Sequence, residues 1–270
     1  QGTNSSGETT APSRTQLLTG RLSILLRLFT QVETRKEYLD RAVRLISEWT
    51  GFPAIGIRAL NLENSIPYEA AIGFPGDFLK AENELSITQP DCICSRVIAG
   101  KSIPQDARCL TSSGTFWCGS ISQHLEGLSE SERTCYRGAC VRVGFASMVI
   151  MPIRYRERVI GAVHIASPVE DRLDDETVAF LELLGPVLGE AIHRFNVEER
   201  LRRSNDTQAV LNRLLQWSLE PIPVEELLGR TIKLILSLPW LAFESRGAIF
   251  LVEDSVLVMK AKSNLALPIQ

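Results

Sequence analysis

The sequence predicts an α+β fold: an antiparallel sheet flanked by helices, with long helices leading into and out of it. Three observations carry this. Leu18, Leu22, Leu25, Phe29 and Val32 step by four and three, an apolar seam on one helix. Leu181, Leu184, Leu188, Ala191 and Phe195 repeat that stepping much later in the chain. Between them, apolar runs at 146–154 and 159–167 are joined by Tyr155-Arg156-Glu157-Arg158, the pattern of a hairpin.

The elements follow in order. Residues 1–13 are small and polar and are expected to be a flexible tail. Helix 14–33 is followed by a helix over 37–50, on which Leu39, Val43, Ile46 and Trp49 share a face and which Gly51 and Pro53 end. Residues 54–61 alternate as a strand, 61–65 turn, and 67–72 form a second strand before a Gly/Pro loop at 73–76. Residues 90–144 read as loop-rich. Asp174 is placed to cap a long helix whose first acids suit its positive end. Pro186 removes a backbone hydrogen bond and predicts a kink, and the charged run 198–203 predicts a solvated connector. Helical pattern resumes at 210–218, Pro221 and Pro223 interrupt it, and a helix over 224–238 precedes strands at 248–252 and 256–261. The order helix, helix, strand, strand of 14–72 thus returns in 207–262. Two strands cannot bury a sheet face, so 207–270 is expected to be a second domain cut short.

Composition excludes several classes. With 44 % hydrophobic and 23 % charged residues the chain is globular rather than disordered, and a net charge of −3 leaves no basic excess for nucleic acid. No apolar run approaches the ~18 residues a bilayer span needs, and the polar start has no signal-peptide core. Neither nucleic acid nor membrane is an expected partner. The expected location is the cytoplasm, where thiols stay reduced.

Several stretches resemble GAF domains, small sensory modules of multidomain signalling proteins. Asp91-Cys92-Ile93-Cys94-Ser95 resembles the Cys-x-Cys-Gly motif of a GAF subgroup in sensor and hybrid histidine kinases, with Ser95 replacing glycine. Gly114-Thr115-Phe116-Trp117 keeps the Phe-Trp of a second motif. Arg137-x-x-Cys140 and Gly144-Phe145-Ala146-Ser147 match a third, and 149–154 with 160–165 match the family's last hairpin. The resemblance covers roughly 34–197 and implies a GAF-like, PAS-related sheet. It divides the chain into a dimerisation helix (14–33), a sensory domain (34–175), an exit helix (176–206) and the start of a second GAF-like domain (207–270).

Six cysteines, at 92, 94, 109, 118, 135 and 140, fall in that loop-rich region. Thiolates are soft ligands, so Cys92, Cys94, Cys118 and Cys140 form a candidate metal set, with Cys109, Cys135 or His124 as substitutes. Zinc, an iron–sulfur cluster or haem are the candidate cofactors. A redox switch and plain buried thiols are the alternatives. His164 shares a strand face with Ile160, Ala162 and Ala166 and is a candidate pocket ligand, or a satisfied core residue. Phe116 and Trp117 are candidates for an aromatic wall, or for core packing. Arg137, with Arg133 and Arg142, can reach an anionic ligand or can simply be solvated. His193 is expected on the surface.

No phosphate-cradling loop, nucleotide signature or nucleophile elbow is present in the sequence, so no catalytic set is expected within it. The resemblance implies a sensory GAF module. Its most direct reading is the input region of a histidine kinase, sensing a small molecule, metal or redox state and signalling to a downstream output domain. The helices at Leu18–Val32 and Leu181–Leu215 are then expected to pair in a homodimer. Alternatives are the input of a diguanylate cyclase, a dimerising spacer, and a GAF-type free methionine sulfoxide reductase.

Overall fold

A computed structural model of the chain describes residues 13–89, 91–171, 174–238, 244 and 246–265. The chain folds as two units, residues 1–195 and 196–270. In the first, α1 (Arg14–Gln31) opens on Ser13, which is a cap rather than the end of a tail. Its backbone N–H donates to Gln16 Oε1 at 2.7 Å, and its hydroxyl accepts from the Gln16 backbone at 3.4 Å. The rest of the expected tail, 1–12, lies outside the described residues. Helix α2 (Arg35–Thr50) starts on Thr34 and ends where Gly51 turns left-handed.

The sheet is antiparallel, of order β2-β1-β5-β4-β3, from β1 (Ala54–Ala59), β2 (Tyr68–Ile72), β3 (Phe116–Cys118), β4 (Ser147–Tyr155) and β5 (Arg158–Ser167). The predicted α+β class and the β4–β5 hairpin are both present. Strand alternation gives the sheet two unlike faces. Ile55, Ile57, Val149, Met151, Val163 and Ile165 turn toward one helical layer, formed by α1, α2 and the start of α8 (Asp175–Ser218). Asp174 caps α8 by accepting from the Thr177 N–H at 2.8 Å. Gly185 and Gly189 let α8 lie directly on β4. A Cβ at Gly189 would sit 1.9 Å from the Arg154 carbonyl oxygen, and one at Gly185 2.9 Å from that of Pro152.

Part of the apolar seam on each long helix is covered within the chain. Leu181, Leu184, Leu188, Ala191 and Phe195, with Leu25, Leu28 and Val32, are buried in this domain's own core. The 181–195 stretch of the α8 seam packs within this core, while Val197, Leu201, Leu211 and Leu215 further along stay exposed. The stretch 198–203 is helical and exposed, just past the boundary between the two units. Helix α8 runs unbroken through Pro186 and through that charged run, where Glu199 and Arg203 pair one turn apart at 2.7 Å.

The other face of the sheet carries a roof of short helices: α3 (Gly76–Glu82) and, within the 90–144 stretch read as loops, α4 (Ile93–Ala99), a 3-10 turn (Pro104–Cys109), α5 (Ile121–Glu126), α6 (Glu130–Arg133) and α7 (Ala139–Arg142). Elements this short give too little periodicity to be read. A buried ion pair pins the roof. Arg96 donates to Asp106 at 2.7 and 2.9 Å and to the Cys135 carbonyl at 2.7 Å.

The second unit takes up α8 from Asn196 and adds α9 (Val224–Leu236) and the hairpin β6 (Gly247–Glu253) with β7 (Val256–Ser263). The predicted helix–strand–strand order is present. Ile232 and Leu236 crowd Gly247, while Val252, Val256 and Leu257 stay exposed. Among the described residues no helix is long and apolar enough to cross a membrane.

Candidate functional site

The roofed face of the sheet is fixed by register. Gly56, His164, Ile150 and Phe116 oppose one another across β1, β5, β4 and β3. Arg58 and Ala162 stand one row away on one side, and Ala54, Ala166, Met148 and Cys118 on the other. Between this face and the roof lies an apolar cavity of about 40 Å³, walled by Cys92, Cys94, Phe116, Cys140 and Met148. That volume suits a few water molecules and is far below a haem.

Of the residues expected to bind a ligand, Phe116 and Arg137 line the cavity. Arg137 closes its rim, with Nη2 3.4 Å from Glu82 Oε1 and Nη1 3.6 Å from Asp91 Oδ2. Trp117 does not join Phe116 in one wall. As the next residue of β3 it packs against the helix-side core, with its Nε1 buried and unbonded.

His164 lies behind the cavity rather than in its wall. It is fully buried against Phe74 and Phe78, at ring distances of 5.0 and 6.5 Å. The Tyr68 hydroxyl is 2.7 Å from its Nδ1, and its Nε2 has no hydrogen-bond partner. Burial, then the charge of Arg58, push the imidazole pKa down to about 3, so the ring is neutral. Arg58 is itself fully buried and stacks 3.7 Å above the Tyr68 ring. Its Nη1 donates to the carbonyls of Ile66 and Glu82 at 2.7 and 2.9 Å, and its Nη2 lies 3.8 Å from Glu82 Oε2. Arg58 and Glu82 were missed in the sequence. The available signal was an arginine inside the apolar alternation of 54–61.

The four cysteines expected as one metal set all border the cavity, but the close group of ligand atoms is a different one. Cys92 is the N-cap of α4 and Cys94 lies inside it, so the pair is on a helix start and not in a loop. A hydrogen bond between the two holds the Cys92 thiol down and pushes Cys94 up. Burial pushes Cys140, on α7, up as well. Cys118 instead meets Cys109 and His124. Their ligand atoms all lie within 4.8 Å of one another, the single such group of three among the described residues.

Local folding explains that meeting. The chain reverses at 111–115, where Thr111 N–H donates to Thr115 O, and Leu110 bridges to Phe116. Cys109 is thereby returned beside β3. Ser120 then caps α5, whose first turn carries His124 back over the same point. Cys109 Sγ is 3.6 Å from His124 Nδ1, and Cys118 Sγ donates to the Ser120 carbonyl at 3.2 Å. The Cys109 thiol is held down to about 5, first by the Cys118 hydrogen bond and then by His124, while Cys118 is pushed up. His124 Nε2 is 3.1 Å from the Tyr136 hydroxyl, which donates to Asp106 Oδ1 at 2.7 Å. All six thiols are free, and Cys135 is exposed. His193 stacks on Tyr155 at 3.7 Å.

A five-stranded antiparallel sheet, helices on one face and a roofed cavity on the other, defines the GAF fold. The chain belongs to the GAF domain family, whose model matches residues 33–193, more than half of the sequence. Two solved structures agree on the fold. The GAF domain of a phosphoenolpyruvate-protein phosphotransferase from Coxiella burnetii is 13 % identical with a TM-score of 0.50, covering 70 % of this chain and 99 % of that one. Free methionine-R-sulfoxide reductase from Neisseria meningitidis is 13 % identical with a TM-score of 0.50, covering 70 % and 96 %. A domain of a putative two-component sensor histidine kinase from Sinorhizobium meliloti is 15 % identical with a TM-score of 0.46, covering 63 % and 99 %. No curated protein matches the sequence.

Proposed function

We propose that residues 33–193 are the sensory input domain of a cytoplasmic signalling protein, and that a small ligand binds between the sheet and its roof at the 40 Å³ cavity. The observation that carries this is the buried Arg58–Tyr68–His164 group behind an apolar cavity. Arg58 Nη2 and Nε and His164 Nε2 make no hydrogen bonds. A buried polar group left unsatisfied costs roughly 1–3 kcal/mol. An apolar molecule carrying one carboxylate or carbonyl would recover part of that cost as the short roof helices adjust.

The turn joining the roof's 3-10 segment to β3 has a direct link to the exit helix. Thr111 Oγ1 donates to Glu182 Oε1 of α8 at 2.5 Å. A ligand that favours one position of the roof would bias α8 through this bond. Farther along, Val197, Leu201, Leu211 and Leu215 stay exposed at steps of four, ten and four. They supply the seam for a second copy that Leu181–Phe195 does not. The resemblance of the cysteine and Phe-Trp motifs to GAF domains of histidine kinases supports a histidine kinase as the output.

The test is a thermal-shift screen of small aromatic and aliphatic carboxylic acids and ketones. It compares the unaltered chain with Ala139→Phe, which fills the cavity from α7. Compounds that raise Tm only in the unaltered chain support the reading. Compounds acting equally on both, or none acting at all, overturn it.

A further inference from the structure

Cys118 and His124 border the cavity beside Phe116, and Cys109 lies against them. They open onto a surface groove also bordered by Gln105, Arg108 and Asp171. We propose that these three side chains form a zinc(II) site, with Sγ, Sγ and Nδ1 as protein ligands and a fourth position open to the groove. This goes beyond the cavity reading and stands without it.

The spacing is that of a tetrahedral centre. Zn–S bonds of about 2.3 Å and Zn–N bonds of about 2.05 Å at a tetrahedral angle put sulfur and nitrogen ~3.6 Å apart. Cys109 Sγ and His124 Nδ1 are 3.6 Å apart. The same arithmetic puts two sulfurs ~3.8 Å apart, inside the 4.8 Å that encloses all three ligand atoms. Two thiolates and one imidazole select zinc over harder divalent ions.

The surroundings are those of a ligand held in place. A metal-bound histidine uses its second nitrogen to fix its ring. Here His124 Nε2 meets the Tyr136 hydroxyl at 3.1 Å, Tyr136 donates to Asp106 at 2.7 Å, and Asp106 is clamped by buried Arg96. Each ligand also comes from a separately anchored element: the 3-10 turn, β3 and α5. On binding, any proton still on either sulfur is released to solvent, and Cys118 exchanges its bond to Ser120 O for the metal. No electron is transferred. Three protein ligands leave one tetrahedral position for water or another donor, and that position faces the groove.

The experiment titrates the full chain, stripped by chelator under reducing, anaerobic conditions, with cobalt(II) and then zinc(II). The expected result is one cobalt per chain with intense tetrahedral visible bands and thiolate-to-cobalt absorption, bleached by one equivalent of zinc. Azide should shift the visible bands by entering the open position. Cys109→Ser and His124→Gln, both at part-exposed sites, should abolish the thiolate-rich spectrum while circular dichroism stays unchanged. Cys92→Ser and Cys140→Ser should leave the spectrum intact. Tyr136→Phe, which alters a positioning residue only, should weaken zinc binding by about 10–100-fold. Absence of the bands would leave a thiol–imidazole pair and overturn the site. Loss of the bands in Cys92→Ser or Cys140→Ser, with retention in Cys109→Ser, would move the metal to the other thiols and overturn it equally. An azide-insensitive spectrum would overturn the open position.

Discussion

The Tyr68 hydroxyl lies 2.7 Å from Nδ1 of His164, a fully buried imidazole on the roofed face of the sheet. The tyrosine keeps its proton, because burial raises its pKa well above 10. It donates to the one acceptor nitrogen a neutral imidazole has. Burial, and then the neighbouring charge of Arg58, hold the ring in its unprotonated form.

Stability should therefore depend on pH through His164. Its folded pKa of about 3 lies below the unfolded value near 6.5. The unfolded chain thus binds the extra proton between those values, and stability falls as pH drops through 6.5. The expected loss is about 1.4 kcal/mol per pH unit, or ~2 kcal/mol by pH 5. Urea unfolding of the unaltered chain and of His164→Gln at pH 7 and pH 5 checks this. Equal pH dependence in the two proteins would count against it.

Gly56 makes room for the Tyr68 ring. A Cβ there would lie 2.5 Å from Tyr68 Cε1 and 3.3 Å from Phe74. Gly56→Ala should displace the ring from His164 and cost ~1–3 kcal/mol. Nitrogen NMR of the His164 imidazole should show the loss of its hydrogen bond, and an unchanged Nδ1 resonance would contradict the geometry.

The contact of α8 with β4 depends on Gly189, where an added Cβ would strike the Arg154 carbonyl oxygen at 1.9 Å. Neither backbone can yield without separating helix from sheet, so Gly189→Ala should destabilise by ~3 kcal/mol or more. Glu190→Ala, at the adjacent exposed position, should stay within ~0.5 kcal/mol of the unaltered chain. Denaturant midpoints of the two variants make the comparison, and similar midpoints would rule out the close approach.

Arg96 and Asp106 form a buried pair that joins α4, the 3-10 turn and the Cys135 carbonyl. Asp106→Ala strands a buried guanidinium and should cost ~3–5 kcal/mol. Replacing both, as Arg96→Met with Asp106→Leu, should cost less than the single change, because no charge is left unpaired. Thermal unfolding of the three proteins decides it. A double variant as weak as the single one would mean that the bonds to Cys135 and Tyr136, rather than the charge, dominate.

Much of this architecture is legible in the sequence, and the limits have physical causes. Alternation marks β1, two apolar runs either side of a polar turn mark β4 and β5, and three–four spacing marks α1, α2 and α8. The same spacing could not tell what covers Leu181, Leu184 and Leu188, since a sheet and a partner helix ask for the same apolar stripe. Strand β3 has three residues and α6 and α7 have four each, too few for any period to register. Phe116 and Trp117 read as one wall because they are adjacent, and the pleat turns them to opposite faces.

The sequence by itself determined the α+β class, the GAF motifs, the run of thiols and the strand that carries His164. Those follow from local periodicity and residue chemistry, which nearest neighbours along the chain settle. Tertiary structure alone decided which thiols meet. The reversal at 111–115 and the first turn of α5 bring Cys109 and His124 to Cys118, while Cys92 and Cys94 begin a different helix. It also decided that Arg58 is buried and that the 181–195 stretch of α8's seam packs in its own domain's core. Those outcomes depend on contacts between residues tens of positions apart, about which sequence spacing carries no information.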